Sequence, residues 1–234
     1  SLEVFPDGVE GKIFYQKRLP VYFQEWIGTA EVKKGQEKQT QVAINSRAGI
    51  LYLANQVCTP HIWLSRAERL EQPDRMVFDL DPSDLDSAVA AAKVLRKELK
   101  KRHLIPFLML TGGKGMHVVV PIRPEKTFDV VRKIATDIAE TVVRSDPDRF
   151  TMEQRIAKRK RRVFIDVQRN AYGQTVVAPY AIRAKKGGPV AMPVHWKDIG
   201  TPPDHYDIQS AKRRLAQTGD IWKKIDAARR TLKS

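Results

Sequence analysis

Cysteine is nearly missing from this chain of 234 residues: Cys58 stands alone. One thiol builds neither a disulfide framework nor a cysteine-based zinc site, and it suits a reducing, cytoplasmic compartment. No apolar run approaches the roughly 20 residues that span a bilayer. The first residues, Ser1 to Glu10, lack the basic-then-apolar plan of a secretory signal. There is no internal repeat and no low-complexity linker. Acidic residues are scarce against basic ones, 27 Asp and Glu to 42 Lys and Arg, for a formal charge of +15. Such an excess asks for a polyanion, with nucleic acid the first choice and a surface kept basic for solubility the plain alternative. A membrane surface fits less well, because no helix pairs a basic face with a Trp- and Phe-rich one. What the chain does have is 42 % apolar residues, at a length suited to one large domain or two small modules.

The first 66 residues carry short aromatic and β-branched runs, Ile13–Tyr15, Val21–Trp26, Gln41–Ile44 and Ile50–Leu53, with a polar turn at Lys33–Lys38. A small α/β module is expected there. Met76–Leu80 then reads as an apolar strand. Ser83 or Asp84 is placed to cap a helix whose apolar positions, Leu85 to Leu99, follow a 3.6-residue period. Its other face carries Lys93, Arg96, Lys97 and Lys100. Two strands, Ile105–Leu110 and Met116–Ile122, flank the Gly-rich turn Thr111–Gly115, and a helix follows Thr127. A basic stretch, Arg155–Arg162, leads into a strand at Val163–Val167, and helices are expected around Ile208–Gln217 and Ile221–Leu232. Strands alternating with helices mean α/β or α+β around one mixed sheet, antiparallel at the tight turn.

Three stretches carry chemistry. In Phe78-Asp79-Leu80-Asp81-Pro82 two carboxylates at i and i+2 on a strand share one face. Like charges that close resist ionising together unless a cation joins them, and a divalent metal shared with substrate phosphates is the usual resolution. In Phe164-Ile165-Asp166-Val167 one acid interrupts an apolar strand and needs either that same metal or a salt bridge to Arg159, Arg161 or Arg162. In Thr111-Gly112-Gly113-Lys114-Gly115-Met116-His117 the glycines let backbone N–H groups approach an anion and Lys114 adds a cation. The GxxxxGK spacing of a P-loop is absent. His61, Arg159 and Arg183 are further donors suited to a triphosphate, which favours Arg forks and imidazolium.

Metal-dependent phosphoryl transfer on nucleic acid follows from this set, by a polymerase, a nuclease or a phosphatase. A haloacid-dehalogenase phosphatase also places Asp-x-Asp after a strand, but the Asp-Asp pair it needs downstream is missing here. A non-catalytic nucleic-acid-binding module explains the charge and leaves the acids unexplained.

The motifs above, followed by Ala178-Pro179-Tyr180-Ala181-Ile182-Arg183-Ala184, and joined by Phe5-Pro6-Asp7-Gly8, Phe14-Tyr15-Gln16-Lys17, His61-Ile62-Trp63-Leu64-Ser65-Arg66 and Pro193-Val194-His195-Trp196, occur in a characteristic order. The chain resembles, over nearly its whole length, the polymerase domain of bacterial ATP-dependent DNA ligase D and similar archaeal polymerases of the archaeo-eukaryotic primase superfamily. The resemblance implies a primase-type, RRM-like mixed central sheet flanked by helices, with residues 1–70 as a smaller N-terminal α/β module and 71–234 as the catalytic core. It implies template-dependent addition of NTP or dNTP to a primer 3′-OH at DNA ends and gaps, ribonucleotides preferred. A primase that starts chains de novo is the alternative within the superfamily. Asp79, Asp81 and Asp166 correspond to catalytic ligands of two Mn²⁺ or Mg²⁺ ions. His61, Thr111, Gly112, Lys114, Gly115, His117, Arg159 and Arg183 correspond to nucleotide contacts, and Phe14 and Tyr15 to base-stacking positions. Lys93, Arg96, Lys97, Lys158, Lys160, Arg161 and Arg162 are the expected DNA contacts. DNA ligase and a Ku-like end-binding protein are the implied partners, in the cytoplasm of a prokaryote at its nucleoid. Thr111 stands where the family usually has Ser, and Glu3-Val4 where a basic pair usually precedes Phe-Pro-Asp-Gly. The lysines with which the family's preceding segment grips a downstream 5′-phosphate are not in this sequence.

Overall fold

A computed structural model describes residues 1–233. In chain order it runs β1 (Leu2–Val4), β2 (Phe14–Gln16), β3 (Thr29–Lys34), β4 (Glu37–Val42), α1 (Arg47–Ala54), β5 (Cys58–Trp63), β6 (Arg75–Asp81) and α2 (Leu85–Lys101). There follow β7 (Phe107–Leu110), β8 (Met116–Pro121), α3 (Phe128–Ser145), β9 (Phe150–Thr151), β10 (Val163–Asp166), β11 (Thr175–Val177), β12 (Met192–Val194) and α4 (Ile208–Thr218).

The core is a six-stranded sheet in the order β12-β7-β8-β6-β10-β9, antiparallel except for the β9–β10 pair. Alternation along β6 decides its two faces. Met76, Phe78 and Leu80 point into the large apolar cluster shared with α2 and α3. Val77 points the other way, with Met109 and Val119, toward a second layer that includes Leu64, Val176 and Val177. That layer is a four-stranded sheet, β11-β5-β1-β2, in which β11 from late in the chain pairs with β5 from the N-terminal part. Helix α2 starts where its sequence says it should: the Asp84 carboxylate accepts the Ser87 N–H at 2.8 Å, and Ala88, Ala92, Leu95 and Leu99 are fully buried. Thr127 caps α3 by position, without a side-chain bond to the helix.

Three expectations about elements change. Ile50–Leu53 is helical within α1, because Ser46 Oγ accepts the Gly49 N–H and starts a turn that the unbroken apolar run continues. Val21–Trp26 forms tight turns, closed by Phe23 N–H to Pro20 O and Ile27 N–H to Gln24 O, and Phe23 packs edge-on against Tyr52. Ile221–Leu232 is turns and a short 3-10 segment at Asp226–Ala228 rather than a helix. Ion pairs from Asp226 to Arg66 (2.7 Å) and to Arg229 (2.9 Å), and the bridge of Arg230 to Ile122, pin that segment in an irregular path. No helix among the described residues is long and apolar enough to cross a membrane.

Candidate active site

Strand register assembles the centre of the site. Met109 on β7 lies opposite His117 on β8, His117 opposite Asp79 on β6, and Asp79 opposite Asp166 on β10. This row crosses four strands on the face turned toward the four-stranded sheet, and Asp81, two residues on from Asp79, shares that face. The buried Asn170 braces the row. Its amide accepts the Val77 N–H (2.8 Å) and donates to the carbonyls of Val77 (2.7 Å) and Val167 (2.9 Å), locking the turn after β10 onto β6.

A cavity of about 720 Å³ opens over this row. Asp79, Asp81 and Asp166 face Lys17, Lys114, Arg159, Arg169, Arg183 and Lys185 there. Burial pushes Asp79 up, but His117, whose Nε2 lies 3.6 Å from Oδ1, and then Arg169 and Arg183 hold its carboxyl below the usual range. Asp166 is lifted above that range by burial and by the Asp79 charge opposite, although Oδ1 accepts the Gln168 N–H at 2.7 Å. Asp81 is bound to Arg159 Nη1. The same guanidinium donates to the carbonyls of Glu153 (3.1 Å) and Gln154 (2.9 Å) and lies 4.2 Å over the Phe164 ring.

Among the described residues no three His, Cys, Asp or Glu stand close enough to cage a metal by themselves. The donor set nevertheless suits Mg²⁺ or Mn²⁺. It is all carboxylate, two acids stand opposite each other in register, and burial and the Asp79 charge disfavour ionisation of Asp166. Mg²⁺ in particular takes one or two carboxylates and completes its shell with substrate phosphates and water.

The Gly-rich turn closes one wall. A Cβ on Gly115 would collide with the Leu80 carbonyl, so only glycine lets β8 leave the turn this close to β6. Gly112 has φ +67°, and a Cβ there would meet Arg183 Cγ at 2.8 Å. Thr111 Oγ1 donates to the Gly115 carbonyl at 2.8 Å, so its hydroxyl holds the turn and keeps only acceptor capacity toward a ligand. Lys114 is exposed at the mouth. Burial lowers the Lys185 pKa, and the nearby Arg183 and Lys114 charges lower it further.

On the opposite wall, burial pushes His61 down to about 4, so near neutral pH it is an uncharged imidazole rather than the imidazolium expected from sequence. Its Nε2 has no hydrogen-bond partner and sits 3.5 Å from Glu3 Oε2. Glu3 also accepts the Tyr15 hydroxyl at 2.9 Å and lies 3.8 Å from Arg183 Nη2. A carboxylate thus occupies an anion position between two groups suited to phosphate. Glu3→Gln keeps an acceptor for Tyr15 and removes the charge. It is expected to tighten nucleotide binding about three- to tenfold, the worth of a modest ion pair, as read by titration with a triphosphate. Weaker binding would instead make Glu3 the group that orients Arg183.

The cavity therefore brings together Asp79, Asp81, Asp166, His61, Thr111, Lys114, Gly115, His117, Arg159, Arg183 and Tyr15. Gly112 and Phe14 lie outside its lining. So do all the expected DNA contacts. Lys93, Lys97, Lys158, Lys160 and Arg161 are exposed, Arg96 lies against Trp196, and Arg162 donates to the carbonyls of Arg159, Pro147 and Lys158. Sequence reasoning assigned no role to Arg169 or Lys185. Each stands within three residues of a motif acid or arginine, Arg169 in a short 3-10 turn and Lys185 in a loop, and that proximity was the available signal.

Residues 1–222 match the family described as LigD, primase-polymerase domain. The chain belongs to that family. Membership places it among polymerase-type nucleotidyltransferases. A multifunctional non-homologous end joining protein LigD of Pseudomonas aeruginosa is 30 % identical over 236 residues, covering 95 % of this chain and 27 % of the relative. A bifunctional LigD of Bacillus subtilis is 26 % identical over 221 residues, covering 92 % and 36 %. The chain thus spans a minor part of the length of these LigD relatives. A solved polymerase domain of Mycobacterium tuberculosis ligase D, in complex with DNA, superposes with a TM-score of 0.85 at 24 % identity, over 97 % of this chain and 83 % of that one. That likeness is one of fold, and it agrees with the mixed α/β architecture and central mixed sheet expected of a LigD primase-polymerase domain.

Proposed function

We propose that this chain adds a nucleotide to the 3′-OH of a primer at a DNA break or gap, directed by a template and releasing pyrophosphate. The observation that supports it best is one cavity lined by three carboxylates and six Lys and Arg side chains. Acids repel phosphates unless metals intervene, so a pure binding module has no use for the confronted Asp79 and Asp166. Two divalent ions, Mn²⁺ or Mg²⁺, held by Asp79, Asp81 and Asp166, supply activation of the attacking oxygen and stabilisation of the leaving one when bound. The chain's own groups do the rest. Lys114, Arg183 and Lys185 bind the triphosphate, His117 keeps Asp79 ionised and oriented, and Arg159 releases Asp81 as it turns to a phosphate. The relatives' names put the reaction in end joining, where a DNA ligase and a Ku-like end-binding protein are the proposed partners.

Lys114→Ala is expected to weaken triphosphate binding about tenfold, as loss of a charge-assisted hydrogen bond, and duplex binding hardly at all. Separate titrations with nucleotide and with gapped duplex check this. A loss confined to the duplex would assign the turn to the DNA path.

Ribonucleotides are the proposed preferred substrates. A site built to bond a 2′-OH leaves a polar group unpaired when a deoxynucleotide binds, which costs about 1–3 kcal/mol, or roughly five- to hundred-fold in incorporation. The unpartnered His61 Nε2 is the favoured contact, since the Thr111 hydroxyl proton is already committed. Extension of a labelled gapped duplex with UTP or dUTP opposite A tests both steps, because only the 2′-OH differs. No extension by either contradicts the transfer reaction, and equal use contradicts the sugar preference alone.

A further inference from the structure

A second cavity of about 560 Å³ lies at the far end of β7. The active-site cavity reaches Thr111, just beyond the C-terminus of that strand, whereas the second is lined by Pro106, Phe107 and Leu108 at its start. The two share no lining residue.

Its charged lining is of one sign. Arg96 and Lys100 stand one turn apart on α2, which puts them on one helix face. Arg230 completes the charged set, His103 and His195 add imidazole rings, and no Asp or Glu lines the cavity. The Pro193–Trp196 motif, for which the active site has no use, supplies the floor. Trp196 Nε1 donates to the Pro106 carbonyl at 2.7 Å, fixing the indole. The Arg96 guanidinium lies 4.6 Å over that ring, and Arg96 Nε is buried with no hydrogen-bond partner. An unpaired buried donor is unfavourable and marks a place where an acceptor is missing. Ile105, Phe107 and Ile221 give the cavity an apolar wall beside this basic edge. The volume falls in the range of ordinary small-ligand sites.

We propose that this cavity binds one nucleotide unit, its phosphate against Arg96, Lys100 and Arg230 and its base against the apolar wall, without a metal ion. Absence of carboxylates separates it from the active site. There, three acids stand among the cations and call for metal ions; here no acid does. The apolar wall separates a nucleotide from a bare anion.

The test is equilibrium binding to the full chain in EDTA, with AMP, inorganic phosphate and a 5′-phosphorylated single-stranded tetranucleotide as probes. AMP is expected to bind saturably and more tightly than inorganic phosphate. Arg96→Gln/Lys100→Gln is expected to weaken AMP about tenfold or more, from the loss of two charge-assisted contacts, while Lys114→Gln in the other cavity leaves it unchanged. Trp196→Phe, which keeps an aromatic plate under Arg96, is expected to give a smaller loss with the fold intact by circular dichroism. A tetranucleotide that outbinds AMP makes the natural source a nucleic-acid strand; one that does not makes it a free nucleotide, and either supports the site. No AMP binding in EDTA, unaltered affinity in the double variant, or inorganic phosphate as tight as AMP would overturn it.

Discussion

Asp79→Asn and Asp166→Asn should each lower nucleotide addition by about three orders of magnitude, the scale of several kcal/mol lost from the transition state. Neither should unfold the protein. Asp166 sits opposite Asp79, and its carboxyl is raised by burial and by that neighbour, so its ionised form is disfavoured in the folded state. The sign follows from linkage. An acid raised on folding destabilises as pH climbs through its titration range, and the penalty is complete above the folded value. Asp166→Asn removes it and should leave stability at pH 7 unchanged or slightly higher, a small gain that melting curves at pH 7 detect. Asp81→Asn should be equally inactive, with Arg159 freed from its partner. Single-turnover extension separates these outcomes, and a near-normal rate in Asp79→Asn would contradict a catalytic role for the row.

Asp74→Ala should produce the largest loss of stability outside the core. The Asp74 side chain is 3 % exposed and accepts from Arg66 Nε (2.8 Å), Arg75 Nε (3.0 Å) and Arg229 Nη2 (2.7 Å). It ties the connection after β5, the start of β6 and the C-terminal turns together. Burial pushes its pKa up, but Arg75, Arg66 and Arg229 prevail and hold it below the usual range. Removing it strips Arg75 of its carboxylate and leaves Arg66 and Arg229 with Asp226 alone, at a cost of about 3 kcal/mol, the lower end for a buried pair because Asp226 still pairs with two of the three cations. In a domain this long that is about 6–12 °C in Tm. Because the folded pKa is depressed, this contribution is present above the unfolded value near 4 and is lost as pH falls through the folded one. Wild type and variant should therefore converge in acid. Denaturant unfolding at pH 7 and at a series of pH values falling below the unfolded value near 4 checks both halves, the gap narrowing as pH falls.

Much of this was legible in the sequence, and the reason is local. Asp79-x-Asp81 and Asp166 interrupt apolar strands, and the Gly-rich turn between two strand patterns forces a hairpin, so the acids and the turn were visible without tertiary information. The rest depends on register and on long-range pairing. Nothing in the sequence says that His117 falls opposite Asp79, that Asn170 holds the β10 turn on β6, or that Glu3 from the first strand reaches Arg183. The Arg159–Asp81 pair joins residues 78 apart in the chain. The misread elements have similar causes. One serine cap turned Ile50–Leu53 helical, and the Asp226 ion pairs with Arg66 and Arg229 overrode the helical pattern of the last segment.

Metal-dependent, template-directed transfer of a nucleotide is best tested on a labelled duplex with a one-nucleotide gap. Each of the four NTPs is supplied alone, with Mn²⁺, with Mg²⁺ or with EDTA, and primer length and free pyrophosphate are read together. A cavity working as described extends the primer by one residue, only with the complementary NTP, releases one pyrophosphate per addition, and does nothing in EDTA. Addition that persists in EDTA, or that proceeds equally in Asp79→Asn/Asp81→Asn, would contradict the assignment of the three carboxylates.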